Sequence, residues 1–81
     1  MQYSVYILKC IDGSLYTGIT TDVKRRLNEH KSGKGGHYTR SHPPKKLLYV
    51  EAQPTRGSAL VREAAIKRLS RTQKLVLCGT H

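Results

Sequence analysis

Two short apolar runs separated by a turn signal constrain the fold of this chain more than any other feature. The first run is Tyr3–Cys10 and the second is Leu15–Thr20, with Ile11-Asp12-Gly13 between them. Asp-Gly between two runs rich in β-branched and aromatic residues is typical of a β-hairpin. The first run is apolar at consecutive positions, as in a strand that is covered on both faces. The chain therefore begins with a hairpin whose first strand is buried on both sides.

Downstream of the hairpin, the pattern predicts one helix, an irregular segment and a third strand. Thr21 or Asp22 can cap a helix that continues to about Lys31. Residues 32–44 are glycine-rich and basic and have no periodicity, which is typical of a loop. The third strand is expected at about residues 46–52.

The last third of the chain predicts two further helices. Thr55 or Ser58 can cap a helix that runs to about Ser70, and a short helix at about residues 71–78 follows. The order β-β-α-β-α-α opens on a hairpin, which favours a small three-stranded antiparallel sheet flanked by helices. We therefore expect an α+β fold and a single domain over residues 1–81.

An excess of basic residues is the strongest signal in the composition. Of the 81 residues, 15 are Lys or Arg and 5 are Asp or Glu, which gives a formal net charge of +10. On so small a domain this excess favours a polyanionic partner, usually nucleic acid. One alternative is an anionic membrane surface, although no segment has the pattern of a basic amphipathic anchor. The other is a charge that serves solubility alone. We expect a nucleic-acid partner and no membrane partner.

The sequence carries no pattern typical of export or membrane insertion. No stretch approaches the length of a membrane span, and no apolar segment near Met1 is typical of a secretion signal. Cys10 and Cys78 lie far apart without a C-x-x-C pair, so neither a zinc site nor a disulfide framework is indicated. We expect a cytoplasmic location.

The length of the hairpin loop decides whether Tyr6 and Tyr16 share a face of the sheet. A two-residue loop would pair Tyr6 with Ile19 and direct the two rings to opposite faces. A three-residue loop, with Gly13 left-handed at its third position, would put Tyr6 across from Gly18 and both rings on one face. The residues allow both loops.

Tyrosines are common in ordinary sheets, but this chain has five of them and no Phe or Trp. A tyrosine hydroxyl needs a partner when it is buried.

Three polar residues adjoin the apolar stripes of the predicted helices. Arg26 and His30 are four residues apart and therefore share a helix face. Glu63 lies between apolar positions of the later helix and is one of only five acids. An arginine at the edge of a buried face needs an anionic partner, from the protein or from a ligand. Structural alternatives are an interface hydrogen bond for His30 and an ion pair with Lys67 for Glu63.

In chain order, these residues resemble the GIY-YIG nuclease family. Ser4-Val5-Tyr6 stands at the first, looser motif of that family and Tyr16-Thr17-Gly18 at the second, with Arg26 and His30 following on a helix. The resemblance spans about residues 3–74. The short length and the basic charge are similar to the small stand-alone bacterial UPF0213 group. The resemblance also favours the three-residue hairpin loop.

The resemblance implies metal-dependent hydrolysis of DNA phosphodiester bonds, of a structure-specific or repair-related kind, with Mg²⁺ or Mn²⁺ as the cofactor. The implied catalytic residues are Tyr6, Tyr16, Arg26, His30 and Glu63. The tyrosines would position or deprotonate the attacking water, Arg26 would bind the scissile phosphate, and His30 would assist proton transfer or orientation. Glu63 would be the single carboxylate ligand of the metal. This suits Mg²⁺, which often takes only one or two protein carboxylates.

Further basic residues are expected to contact the nucleic-acid backbone, and one departure from the family opens a second function. The expected contacts are Lys24, Arg25, Lys34, Arg40 and Lys67, with His37 and His42 in the same irregular segment. Many members carry an asparagine late in the domain, whereas the only asparagine here is Asn28. Some also carry a lysine where this chain has Ile19. The alternative function is therefore a non-catalytic nucleic-acid-binding module on the nuclease scaffold, which charge alone does not distinguish from an enzyme.

Overall fold

A computed structural model describes residues 2–34 and 40–79 as one antiparallel sheet with helices on both of its faces. The elements are β1 Tyr3–Cys10, β2 Leu15–Thr20, α1 Val23–Lys31, β3 Pro44–Gln53, α2 Arg56–Lys67 and α3 Arg71–Leu77. The strand order is β2-β1-β3, so the first strand is central. The predicted α+β class, the three-stranded antiparallel sheet and the order of the elements are confirmed. His37 lies outside the described residues.

The third strand is longer than the sequence predicted. It begins at Pro44 and ends at Gln53 instead of covering about residues 46–52. The extra residues pair with the whole length of β1, up to Cys10 opposite Pro44. A proline is tolerated as the first residue of an edge strand because its missing N–H takes no ladder bond there.

Each helix begins at a side-chain cap, and the structure decides between the candidate caps. Asp22 caps α1, Thr55 caps α2 and Ser70 caps α3, each side chain accepting a hydrogen bond from a backbone N–H of the first turn. Because Ser70 starts the next helix, α2 ends at Lys67, earlier than predicted. None of the helices in the described part of the chain has the length and apolar character that a membrane crossing needs.

The hairpin has the three-residue loop. Gly13 has φ +88°, in the left-handed region, and its N–H donates to the carbonyl of Cys10 at 2.9 Å. Tyr6 pairs with Gly18, two residues from Tyr16 on the same strand. Since side chains alternate along a strand, both tyrosines lie on one face of the sheet. The register favoured by the family resemblance is confirmed.

The sheet separates two packed layers. On one face, Val5 and Ile7 of β1 form a cluster with Ala59 and Ile66 of α2, and all four are inaccessible to solvent. On the other face, α1 packs through the buried ring of His30. The central strand is therefore covered on both sides, as its consecutive apolar residues predicted.

Candidate active site

Three rings from three elements meet on the α1 side of the sheet. The hydroxyl of Tyr6 lies 2.8 Å from Nε2 of His30, a buried hydrogen bond that joins β1 to α1. The ring centroid of Tyr16, on β2, lies 5.1 Å from that of His30 and 6.2 Å from that of Tyr6. Tilted and edge-on contacts at these distances are favourable for aromatic rings. The two tyrosines and the histidine that the sequence singled out form one group, called the ring cluster below.

Gly18 supplies the space in which the ring cluster packs. A Cβ added to this residue would lie 2.6 Å from the hydroxyl oxygen of Tyr6 and 3.1 Å from Cε2 of Tyr16. Contacts this short are strongly repulsive in a packed interior. The glycine of the tyrosine-x-glycine motif is therefore required at this position for steric reasons.

Arg26 lies one turn before His30 on α1, at the edge of the ring cluster. Its side chain is 31% exposed, and Nη1 lies 3.3 Å from Oε1 of Glu29. The guanidinium also interacts with the hydroxyl of Tyr6, where its charge favours the phenolate form. The anionic partner that the sequence required is therefore supplied in part by Glu29. The remaining exposure leaves room for a ligand.

Burial sets the protonation states within the ring cluster. Burial raises the pKa of Tyr6 to about 12, because this effect outweighs the opposing effect of Arg26. Burial, and secondly the charge of Arg26, lowers the pKa of His30 below its ordinary value of 6.5. At neutral pH the phenol keeps its proton and the imidazole is uncharged. These surroundings oppose a general-base role for Tyr6 and suit a positioning role.

Tyr16 is the tyrosine that a ligand can reach. Tyr6 is only 2% exposed, whereas Tyr16 is half-buried. A cavity of about 250 Å³ is lined by Leu15, Tyr16, Thr17, Lys67 and Lys74. The three consecutive residues of β2 in this lining place the cavity beside that strand, which is an edge strand of the sheet.

Glu63 belongs to the helix that packs on the opposite face of the sheet from the ring cluster. It lies on α2, its side chain is 18% exposed, and Oε2 is 3.5 Å from Nζ of Lys67. Lys67 lines the same cavity as Tyr16. Among the described residues Glu63 thus pairs with Lys67 on α2, whereas the other four predicted catalytic residues lie together on the α1 side of the sheet. The ion pair with Lys67 that the sequence offered as an alternative is present.

Glu63 is also the carboxylate that suits a metal ion. Within residues 2–34 and 40–79, no three His, Cys, Asp or Glu side chains are grouped closely enough to enclose a metal. Such a donor set does not fit zinc, which usually takes three or four protein ligands. A largely buried single carboxylate fits Mg²⁺, which retains several waters and takes one or two carboxylates.

The basic residues predicted to contact nucleic acid lie on both sides of the sheet. Lys24 and Arg25 are exposed on α1, and Lys34 is exposed just beyond it. Arg40 is exposed, and its Nε donates to a backbone carbonyl of the turn after α1 at 3.4 Å. Lys67 lies on α2 and lines the cavity at the edge of β2.

Two basic residues of α3 were missed by the sequence analysis. Lys74 lines the 250 Å³ cavity, and Arg71 and Lys74 line a second cavity of about 200 Å³ with Ser14 and Leu15. Nη1 of Arg71 donates to the carbonyl of Gly13 at 2.6 Å, which ties α3 to the hairpin loop. Arg71 and Lys74 are three residues apart, so the sequence indicates that they share a helix face. It does not indicate which part of the sheet this face contacts.

Comparison with known proteins identifies the family of the chain. The model of the GIY-YIG catalytic domain matches residues 2–75. A UPF0213 protein of Cupriavidus pinatubonensis is 49% identical over 78 residues, which cover 96% of this chain and 87% of that protein. A UPF0213 protein of Streptococcus agalactiae is 52% identical over 77 residues, which cover 95% of this chain and 88% of that protein.

Two solved structures are also similar. The solution NMR structure of a UPF0213 protein from Bacillus halodurans has a TM-score of 0.61 and 48% identity, covering 98% of this chain and 84% of that one. The solution NMR structure of a protein from E. faecalis has a TM-score of 0.63 and 40% identity, covering 95% of this chain and 83% of that one. From the motif order, the fold and these matches together, the chain belongs to the GIY-YIG nuclease family, with UPF0213 proteins as close relatives.

Proposed function

We propose that this protein is a metal-dependent nuclease that hydrolyses DNA phosphodiester bonds in the cytoplasm, as a structure-specific or repair-related activity. The observation that carries the proposal is the buried 2.8 Å hydrogen bond between Tyr6 and His30, around which Tyr16 and Arg26 are grouped. Four of the five expected catalytic side chains thus lie together. Membership of a nuclease family supports phosphodiester chemistry at this place.

Arg26 would bind the scissile phosphate. A planar guanidinium with a permanent charge matches the non-bridging oxygens, on which charge accumulates in the transition state. The present partner of Arg26 is Glu29, at 3.3 Å and partly exposed. Such ion pairs contribute little stability, so a phosphate can replace this one at small cost.

Tyr16 would contact the attacking water, since it borders the cavity. Tyr6 would hold His30 in place through their hydrogen bond. His30, uncharged at neutral pH because its pKa is lowered, is able to accept a hydrogen bond from the hydroxyl of Tyr6. The hydrogen bond between Tyr6 and His30 would therefore act as an orienting unit behind Tyr16.

Glu63 would hold a Mg²⁺ or Mn²⁺ ion together with water molecules. When bound, such an ion stabilises negative charge on a leaving oxygen. Lys67, which pairs with Glu63 at 3.5 Å, lies on the wall of the cavity and would contact the substrate backbone once the carboxylate has another cation.

The test is a cleavage assay on single-stranded, duplex and branched DNA, with Mg²⁺, with Mn²⁺ and with EDTA. We expect cleavage with either metal and none with EDTA. Glu63→Gln and Arg26→Ala should each lower the rate about 100-fold or more, since each removes a charge that acts on the transition state. Glu63→Gln should still bind DNA.

Arg56→Ala is the matched control for Arg26→Ala. Arg56 is an exposed first residue of α2, and its replacement removes the same charge. We expect the rate of this variant to stay within about threefold of the wild type. Cleavage that persists undiminished in the Glu63 and Arg26 variants would refute the assigned site. Binding without cleavage of any substrate would establish the alternative, a non-catalytic binding module.

A further inference from the structure

An open basic groove runs along the edge of β2, where no further strand of the described chain is paired. It consists of two neighbouring cavities, of about 250 and 200 Å³, which share the lining residues Leu15 and Lys74. Tyr16 lies at one end of the groove, and Ser14 and Arg71 lie at the other. We call it the edge groove. It connects the ring cluster to the hairpin loop.

The charge of the edge groove is positive along its whole length. Its three cationic residues are Lys67, Arg71 and Lys74. Lys67 is partly neutralised by Glu63, whereas the ion pairs of the described residues do not include Arg71 or Lys74. A cleft lined by charges of one sign concentrates ligands of the opposite sign. The chemistry of the groove therefore fits an anionic chain that enters from the ring cluster.

We propose that the edge groove binds the phosphates of a single-stranded segment of the substrate, on one side of the scissile bond. Over the two residues from Tyr16 back to Ser14 an extended chain covers about 7 Å, which matches about two stacked nucleotides. Arg71 and Lys74 would bind these phosphates, while Arg26 binds the scissile one. The inference rests on the proposed function for the identity of the site at the end of the groove.

The path of the groove is what selects a single strand. Arg26 and the ring cluster lie on the α1 face of the sheet, whereas Arg71 and Lys74 belong to a helix on the other side of β2. A chain that contacts both must turn around the edge of one strand, on a molecule only 18 Å across in its thinnest direction. Duplex DNA is too stiff for so sharp a turn, because its persistence length is about 50 nm. A flexible single strand can follow this path.

The test measures binding of the full-length protein in EDTA, so that cleavage does not enter. The probes are a short fluorescein-labelled single strand of DNA and the duplex of the same sequence, followed by fluorescence anisotropy between about 50 and 200 mM salt. For the single strand, Arg71→Gln/Lys74→Gln should weaken binding about tenfold and reduce the salt slope by about 1.4, which corresponds to two phosphate contacts. The effect on the duplex should be smaller.

The matched control is Lys45→Gln/Lys46→Gln, which removes the same charge from exposed positions of β3 at the opposite edge of the sheet. It should change single-strand binding by less than about twofold. Lys74→Gln alone keeps the bond from Arg71 to the hairpin loop and should give about half of the loss in slope. Circular dichroism would verify that each variant is folded.

If the groove variant and its control lose equal amounts of single-strand affinity, binding depends only on the total charge, and the proposal would be overturned. An equal effect on single strand and duplex would overturn the single-strand path. A groove-specific loss in a protein that cleaves nothing would keep the groove and reject the nuclease function. If the protein cleaves DNA but the groove variant shows no specific loss of binding, the nuclease function would stand and the proposed groove would be rejected.

Discussion

At Gly18, the absence of a single side-chain carbon allows the ring cluster to form. A Cβ there would lie 2.8 Å from Cζ of Tyr6 as well as 2.6 Å from its hydroxyl oxygen. Tyr6 is 2% exposed and hydrogen-bonded to His30, so it has little freedom to move aside. Gly18→Ala should therefore lower the free energy of unfolding by about 1–3 kcal/mol and weaken cleavage, because overpacking displaces the rings.

The matched control for this prediction is Gly57→Ala. Gly57 lies in α2, and a Cβ there would have its nearest contact at 3.9 Å. Alanine is preferred to glycine inside a helix, so this variant should be more stable by about 0.5–1 kcal/mol. Urea denaturation of both variants measures the difference. A Gly18→Ala protein as stable as the wild type would show that the interior accommodates the extra carbon.

His30 makes stability depend on pH in a definite direction. Since its pKa is lowered in the folded protein, the unfolded chain binds the proton more readily as the pH falls through 6.5. The contribution to stability is thus fully present above about pH 6.5 and is lost as the pH falls toward the lower, folded value. His30→Gln can hydrogen-bond to Tyr6 but does not titrate. Its free energy of unfolding should change less between about pH 5 and 7 than that of the wild type. Parallel profiles of the two proteins would contradict this assignment.

At the scale of elements, one carboxylate on β3 fixes the position of α2. Glu51 accepts hydrogen bonds from the hydroxyl of Tyr49 at 2.6 Å, from Nε2 of Gln53 at 2.7 Å and from Nε of Arg62 at 2.9 Å. Burial alone would raise the pKa of Glu51, but these hydrogen bonds lower it below its ordinary value. Arg62 directly precedes Glu63, so this contact helps to fix the part of α2 that carries the proposed metal ligand.

A double-mutant cycle tests this contact between β3 and α2. Glu51→Gln and Arg62→Met should each destabilise the protein, and the double variant should lose less than the sum of the two. We expect a coupling energy of about 1 kcal/mol, because both side chains are partly exposed and solvent screens their attraction. Urea unfolding of the four proteins gives this value. Strictly additive losses would show that the two groups act independently.

At the scale of the whole molecule, the formal net charge of +10 is distributed over both faces and around the edge of β2. Composition alone predicted an anionic partner but did not indicate where on the surface that partner binds. The structure brings α3 against the hairpin through the bond from Arg71 to Gly13, 58 residues apart in sequence. Lys74 of the same helix lines the cavity that Tyr16 borders, and Arg71 lines the neighbouring one, so positive charge is concentrated beside β2.

Local patterns in the sequence determined the hairpin, the order of the elements and the membership of the family, because these depend on residues that are neighbours in the chain. The alternation of side chains likewise put Tyr6 and Tyr16 on one face once the loop length was chosen. Only the tertiary structure decided that Tyr6 is buried against His30, 24 residues away, and therefore has a raised pKa. It also decided that Glu63 belongs to the helix on the opposite face of the sheet. Both outcomes depend on how helices pack on a sheet, and packing brings together residues whose separation in the chain carries no local signal.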